Sequence, residues 1–107
     1  MINVCFSDSG KQLSMCMEGH AQHNPGNDIV CAAASALGQT LVFALEGVEE
    51  ITLDVRAAKG KLFVAATPTA ETVTMFRMAH TGLVAVAEKY PQNVAVKGEI
   101  LPYLPVE

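Results

Sequence analysis

The chain has 107 residues, half of them apolar and 17% charged, a composition that supports one packed core and excludes a disordered segment. Seven basic residues stand against eleven acidic ones for a formal charge of −4, and because the basic residues are scattered along the chain, no direct nucleic-acid binding is expected. No unbroken apolar run approaches the roughly 18 residues that span a bilayer, and the start MINVCFSDSG lacks the basic beginning and apolar centre of a signal peptide, so a cytoplasmic protein with no membrane contact is expected.

Residues 2–7 and 12–18 predict a hairpin turning at DSGK. Ile2, Val4 and Phe6 alternate on one face, with Leu13, Met15 and Met17 on the matching face of the return strand. Pairing Val4 near Met15 leaves Cys5 and Cys16 on the opposite face as small packing residues. The segment AQHNPGN, Ala21 to Asn27, follows neither the strand nor the helix period and predicts a loop. Within it, Pro25 fixes φ near −65° and Gly26 takes a positive φ.

From Asp28 the apolar positions Val30, Ala33, Ala34, Leu37, Leu41, Ala44 and Leu45 recur at helical spacing, with Asp28 as N-cap and Gly47 as stop. Residues 51–57 and 61–66 predict a second hairpin turning at Ala58-Lys59-Gly60. Thr67-Pro68 is expected to open a second helix reaching about Lys89, with Met75, Phe76, Ala79, Leu83, Val86 and Ala87 along its apolar stripe. Gly82 inside that helix costs about 1 kcal/mol relative to alanine and suggests a close helix contact. Residues 93–100 alternate as a last strand before a proline-broken tail. The order ββαββαβ predicts an α+β fold: a single domain over residues 1–107, with one mostly antiparallel sheet and two helices packed against it.

Chemistry concentrates in GHAQHNPGNDIVCAAAS, Gly19 to Ser35. Cys31 falls in the first turn after the Asp28 cap, where unpaired amides favour an anion, although the Asp28 carboxylate opposes that effect. His20 leaves a strand at the mouth of the same loop, and the chain between the two is long enough to fold back and bring imidazole to thiol. Asp28 and Ser35 lie one turn before and after Cys31 on one helix face. Each residue also has an ordinary reading: Cys31 as a small apolar residue, Ser35 bonded to the preceding turn, His23 and His80 as surface residues, and Asp28 as a cap alone. A zinc site would use His20, His23, Cys31 and Asp28, but their spacing matches no usual ligand pattern, so no metal is expected. The glycines lack a phosphate-loop pattern. Three cysteines, Cys5, Cys16 and Cys31, with no CxxC pair, predict free thiols.

The run GHA, a Gly-containing loop and DIVCAAAS together resemble the signature of the ribosomal-processing cysteine protease family, Prp, and the resemblance extends in pattern over the whole chain. It implies a Cys-His dyad on Cys31 and His20, with Gly19, Asp28 and Ser35 supporting the site. No cofactor is implied. The expected activity is removal of a short N-terminal extension from bacterial large-subunit ribosomal protein number 27, a basic precursor, by a homodimer. The chemistry expected of such a dyad is a thioester, with the amides of Cys31 and Ala32 holding the oxyanion and the loop carrying Asn24, Pro25, Gly26 and Asn27 closing over the peptide. The alternative is a ribosome-associated binding module that keeps the groove and holds a basic peptide without cleaving it.

Overall fold

The computed structural model describes residues 1–21 and 28–105. Along the chain lie β1 (Ile2–Asp8), β2 (Leu13–Gly19), α1 (Ile29–Glu46), β3 (Leu53–Ala58), β4 (Lys61–Ala66), α2 (Ala70–Lys89) and β5 (Val94–Lys97), the expected order. The strands form one five-stranded sheet in the order β3-β4-β2-β1-β5. Three neighbouring pairs are antiparallel, and β5 runs parallel to β1. The parallel pair follows from connectivity: α2 crosses the sheet between β4 and β5, and a helical crossover is what a parallel neighbour requires.

Period-two alternation puts Ile2, Val4, Phe6, Leu13, Met15, Met17 and Val64 on one face of the sheet, and that face is covered by both helices. From α1, Val30, Ala34, Leu41, Val42 and Leu45 join this core, and from α2, Val73, Phe76, Ala79 and Leu83. The helices also meet each other closely. A Cβ placed on Gly82 would stand 3.0 Å from Leu37 Cδ2, so glycine is what lets α2 approach α1 there.

Several expectations need correction. Val4 pairs with Met17 and Phe6 with Met15, so the hairpin register differs from Val4 opposite Met15; Cys5 faces Cys16 directly, on the face away from the helices. Ala33 is exposed, and buried Gly38 and Val42 take their place in the α1 stripe. The cap of α2 is Thr69, not Thr67: Thr69 Oγ1 accepts from the Thr72 amide at 3.1 Å while Thr72 Oγ1 accepts from the Thr69 amide at 2.8 Å. Thr67 is instead bound to the residue that precedes β3, its amide donating to the Thr52 carbonyl at 3.1 Å. The last strand stops at Lys97 rather than residue 100, because Gly98 turns away with φ of +80° where a Cβ would meet the Phe6 carbonyl oxygen. Finally, α1 is 18 residues long with mean hydropathy 1.6, enough by length and composition to cross a membrane. Its buried stripe is spent on the sheet and on α2.

Candidate active site

The site begins where β2 ends. Gly19 has φ of +105°, and a Cβ there would run into the Met1 carbonyl oxygen, so only glycine lets the chain turn off the strand at this point. The Gly19 amide donates to the Gly60 carbonyl at 2.9 Å, tying the end of β2 to the β3–β4 turn. His20 follows immediately, exposed, its ring against that turn with Nε2 3.1 Å from the Cβ position of Gly60. Ala21 then enters the core at 2% exposure.

Across from His20, α1 starts as expected. Asp28 is the N-cap, and its Oδ1 accepts from the Val30 amide at 2.9 Å and the Cys31 amide at 3.0 Å. This fixes the first turn and the direction of the half-buried Cys31 side chain. Cys31 Sγ accepts the Ala21 amide at 3.4 Å, so the residue after the histidine is bonded to the thiol. His20, Cys31 and Ser35 line one cavity of about 280 Å³, together with Gly19, Met17, Gln39, Gly60 and Lys61. Imidazole and thiol thus open onto the same space, with no direct hydrogen bond between them among the described residues.

The two amides expected to hold the oxyanion, those of Cys31 and Ala32, already have partners in this geometry. The Cys31 amide is bound by the Asp28 carboxylate, and the Ala32 amide donates to the Asp28 carbonyl at 3.1 Å as the first helical bond. Both donors are already engaged. Ser35 lines the cavity, but its hydroxyl makes no hydrogen bond to the preceding turn among the described residues, contrary to its ordinary reading. His80 is not a free surface residue either: Nε2 lies 3.0 Å from the Gly98 carbonyl oxygen, and the ring meets Phe6 edge-on at 5.0 Å. His23 and the loop residues Asn24, Pro25, Gly26 and Asn27 lie outside the described residues. Among those described, no group of three or more His, Cys, Asp or Glu side chains is placed to hold a metal.

Sequence reasoning missed Gln39, Gly60 and Lys61. Gln39 was within reach, since Cys31, Ser35 and Gln39 recur every fourth residue on one face of α1. Gly60 and Lys61 come from a distant hairpin, and no local pattern joins them to His20.

The profile of the family described as "Cysteine protease Prp" matches residues 1–95. A ribosomal processing cysteine protease Prp of Staphylococcus aureus is 46% identical over 37 residues, a stretch covering 34% of this chain and 35% of that relative; the match thus spans about a third of the curated relative's length. The fold agrees over a much longer span. A crystal structure of the essential ribosomal processing protease Prp from S. aureus, in complex with a covalently linked product peptide, superposes with a TM-score of 0.81 at 28% identity, covering 92% of this chain and all of that one. The structure of SMU.848 from Streptococcus mutans superposes with a TM-score of 0.66 at 30% identity, covering 91% of this chain and 96% of the other. With the strand-end Gly19-His20 and the helix-start Cys31 opening on one cavity, and with the profile running from the first strand into the last, the chain belongs to the cysteine protease Prp family.

Proposed function

We propose that this chain is a cysteine endopeptidase that removes a short N-terminal extension from bacterial large-subunit ribosomal protein number 27, acting as a homodimer in the cytoplasm. The observation that carries the reading is the shared cavity of His20 and Cys31, with Cys31 held by the α1 cap and bonded to the residue after His20. The covalently linked product peptide in the S. aureus relative supports a thiol nucleophile. The net charge of −4 suits a basic protein substrate at long range, although the cavity itself presents Lys61.

In the proposed reaction, His20 takes the Cys31 proton as Sγ attacks the scissile carbonyl carbon, and the C–N bond breaks as His20 returns that proton to the leaving amine. A thioester remains on Cys31. Water, giving a proton to His20, attacks the thioester carbon; Sγ departs, releases a carboxyl product and recovers its proton. The two side chains are not bonded to each other in the unliganded geometry, and bonds of this kind commonly tighten only when substrate is present.

The test is incubation with the ribosomal protein precursor of the same organism, followed by intact-mass measurement. Two fragments whose masses sum to the precursor plus one water are expected. An uncleaved precursor that nevertheless binds in the cavity would overturn the peptidase reading and favour a binding module.

A further inference from the structure

Asn93 stands between α2 and β5, 72 residues along the chain from Ala21, yet its side-chain Nδ2 donates to the Ala21 carbonyl at 2.9 Å. Its own backbone is anchored on two sides. The Asn93 amide donates to the Tyr90 carbonyl at 3.0 Å, at the end of α2, and its carbonyl accepts the Ile2 amide at 2.8 Å, at the start of β1. The carboxamide is therefore presented from a fixed point where helix and sheet meet.

At the other end of this contact, Ala21 is held twice: the carbonyl by Asn93, and the amide by Cys31 Sγ at 3.4 Å. Its methyl group is in the core. Because the amide of Ala21 belongs to the peptide unit that begins with His20, fixing Ala21 also fixes where the His20 backbone stands relative to the sulfur. We propose that Asn93 is a positioning residue for the thiol site, which clamps Ala21 so that its N–H stays on Cys31 Sγ and His20 stays in register with the nucleophile. This rests on the reading of Cys31 and His20 as the reacting pair.

The chemical consequence is specific. A backbone N–H aimed at sulfur stabilises negative charge there through a charge-assisted hydrogen bond, and the clamp keeps that donor in place without bringing a charge of its own. Loss of the clamp leaves the buried Ala21 carbonyl without its partner and lets Ala21 shift, its N–H with it, so the rate of the chemical step should suffer before substrate affinity does.

The experiment compares the parent with Asn93→Ala and Asn93→Leu; the leucine keeps the side-chain volume but removes the donor. Three measurements are made: alkylation of Cys31 by iodoacetamide at neutral pH against Cys5 as internal reference, hydrogen exchange of the Ala21 amide, and kcat and KM for precursor cleavage. In both variants Cys31 alkylation should slow about fivefold or more relative to Cys5 and Ala21 exchange should accelerate, while kcat falls at least tenfold with KM within twofold. A leucine variant that keeps parental Cys31 alkylation and Ala21 protection would mean that Asn93 only fills space, and would overturn the proposal. So would an Ala21 amide that exchanges at the unprotected rate in the parent, whatever the variants do. Alkylation and exchange do not depend on proteolysis; if the parent cleaves nothing, the peptidase reading fails while these two measurements still decide the role of Asn93.

Discussion

The imidazole of His20 occupies space that a side chain at position 60 would need, with Nε2 3.1 Å from the Cβ position of Gly60. Gly60 also has φ of +71°, so an alanine there would be strained by about 1–2 kcal/mol in addition to pressing on the ring. Gly60→Ala should lower cleavage by roughly 10–100-fold through displacement of His20. Gly10→Ala is the matched control: its φ is +81° and nothing lies within 4 Å of its Cβ position, so it should lose similar stability in denaturant melts and keep its activity. Equal activity in the two variants would remove Gly60 from the site.

Cys31→Ala should abolish cleavage and leave the fold intact, because α1 is capped by Asp28 through backbone amides and not through the sulfur. Cys5→Ala and Cys16→Ala, on the sheet face away from the helices, should stay within about twofold of the parent rate. Intact-mass assays on all three variants check this, and parental cleavage by the Cys31 variant would displace the nucleophile assignment.

The two described histidines should separate cleanly. His20→Ala is expected to lose cleavage by orders of magnitude with little change in melting temperature, since the ring is exposed. His80→Ala breaks the contact with the Gly98 carbonyl and the edge-on packing on Phe6, and should cost about 1–2 kcal/mol of stability with kcat unchanged. Thermal melts run alongside steady-state assays distinguish the two outcomes.

Thr72 is fully buried, and its hydroxyl donates to the Thr67 carbonyl at 2.7 Å while accepting the Thr69 amide at 2.8 Å. Thr72→Val keeps the shape and strands both partners, so a loss of about 1–3 kcal/mol is expected in chemical denaturation. A loss below about 0.5 kcal/mol would show that water replaces the hydroxyl there.

Local pattern carried the fold a long way. Alternation marked the strands, the 3.6-residue period marked both helices, and Asp28 and Gly47 bounded α1 as read from the sequence. What failed was longer in range or finer in choice. The hairpin register depends on which residues of the DSGK turn leave the ladder, and an alternating strand looks the same when shifted by two. Thr67 and Thr69 are equally good caps by composition; the buried Thr72 decides between them. In the site, Gly19, His20, Asp28, Cys31 and Ser35 all fall in one short segment and were legible together. Gly60 and Lys61 reach the same cavity from a distant hairpin, and Asn93 meets the Ala21 carbonyl from 72 residues away; a single sequence holds no periodicity that links them. For the oxyanion, the sequence did not show that a capping carboxylate and the helix's own first bond compete for the Cys31 and Ala32 amides.

The parallel pairing of β1 with β5 sets when the site can mature. Ile2 lies beside Val94, so this contact closes a loop of about 90 residues, at an entropic cost roughly 2–3 kcal/mol above that of closing a short hairpin. Such a pairing is expected to form late in folding, after both hairpins and both helices. A chain still emerging from its own synthesis would therefore possess the histidine and the thiol before it possesses the asparagine that aligns them. In refolding experiments, helical circular dichroism should recover before selective alkylation of Cys31 does; simultaneous recovery would mean that the terminal strand docks with the rest.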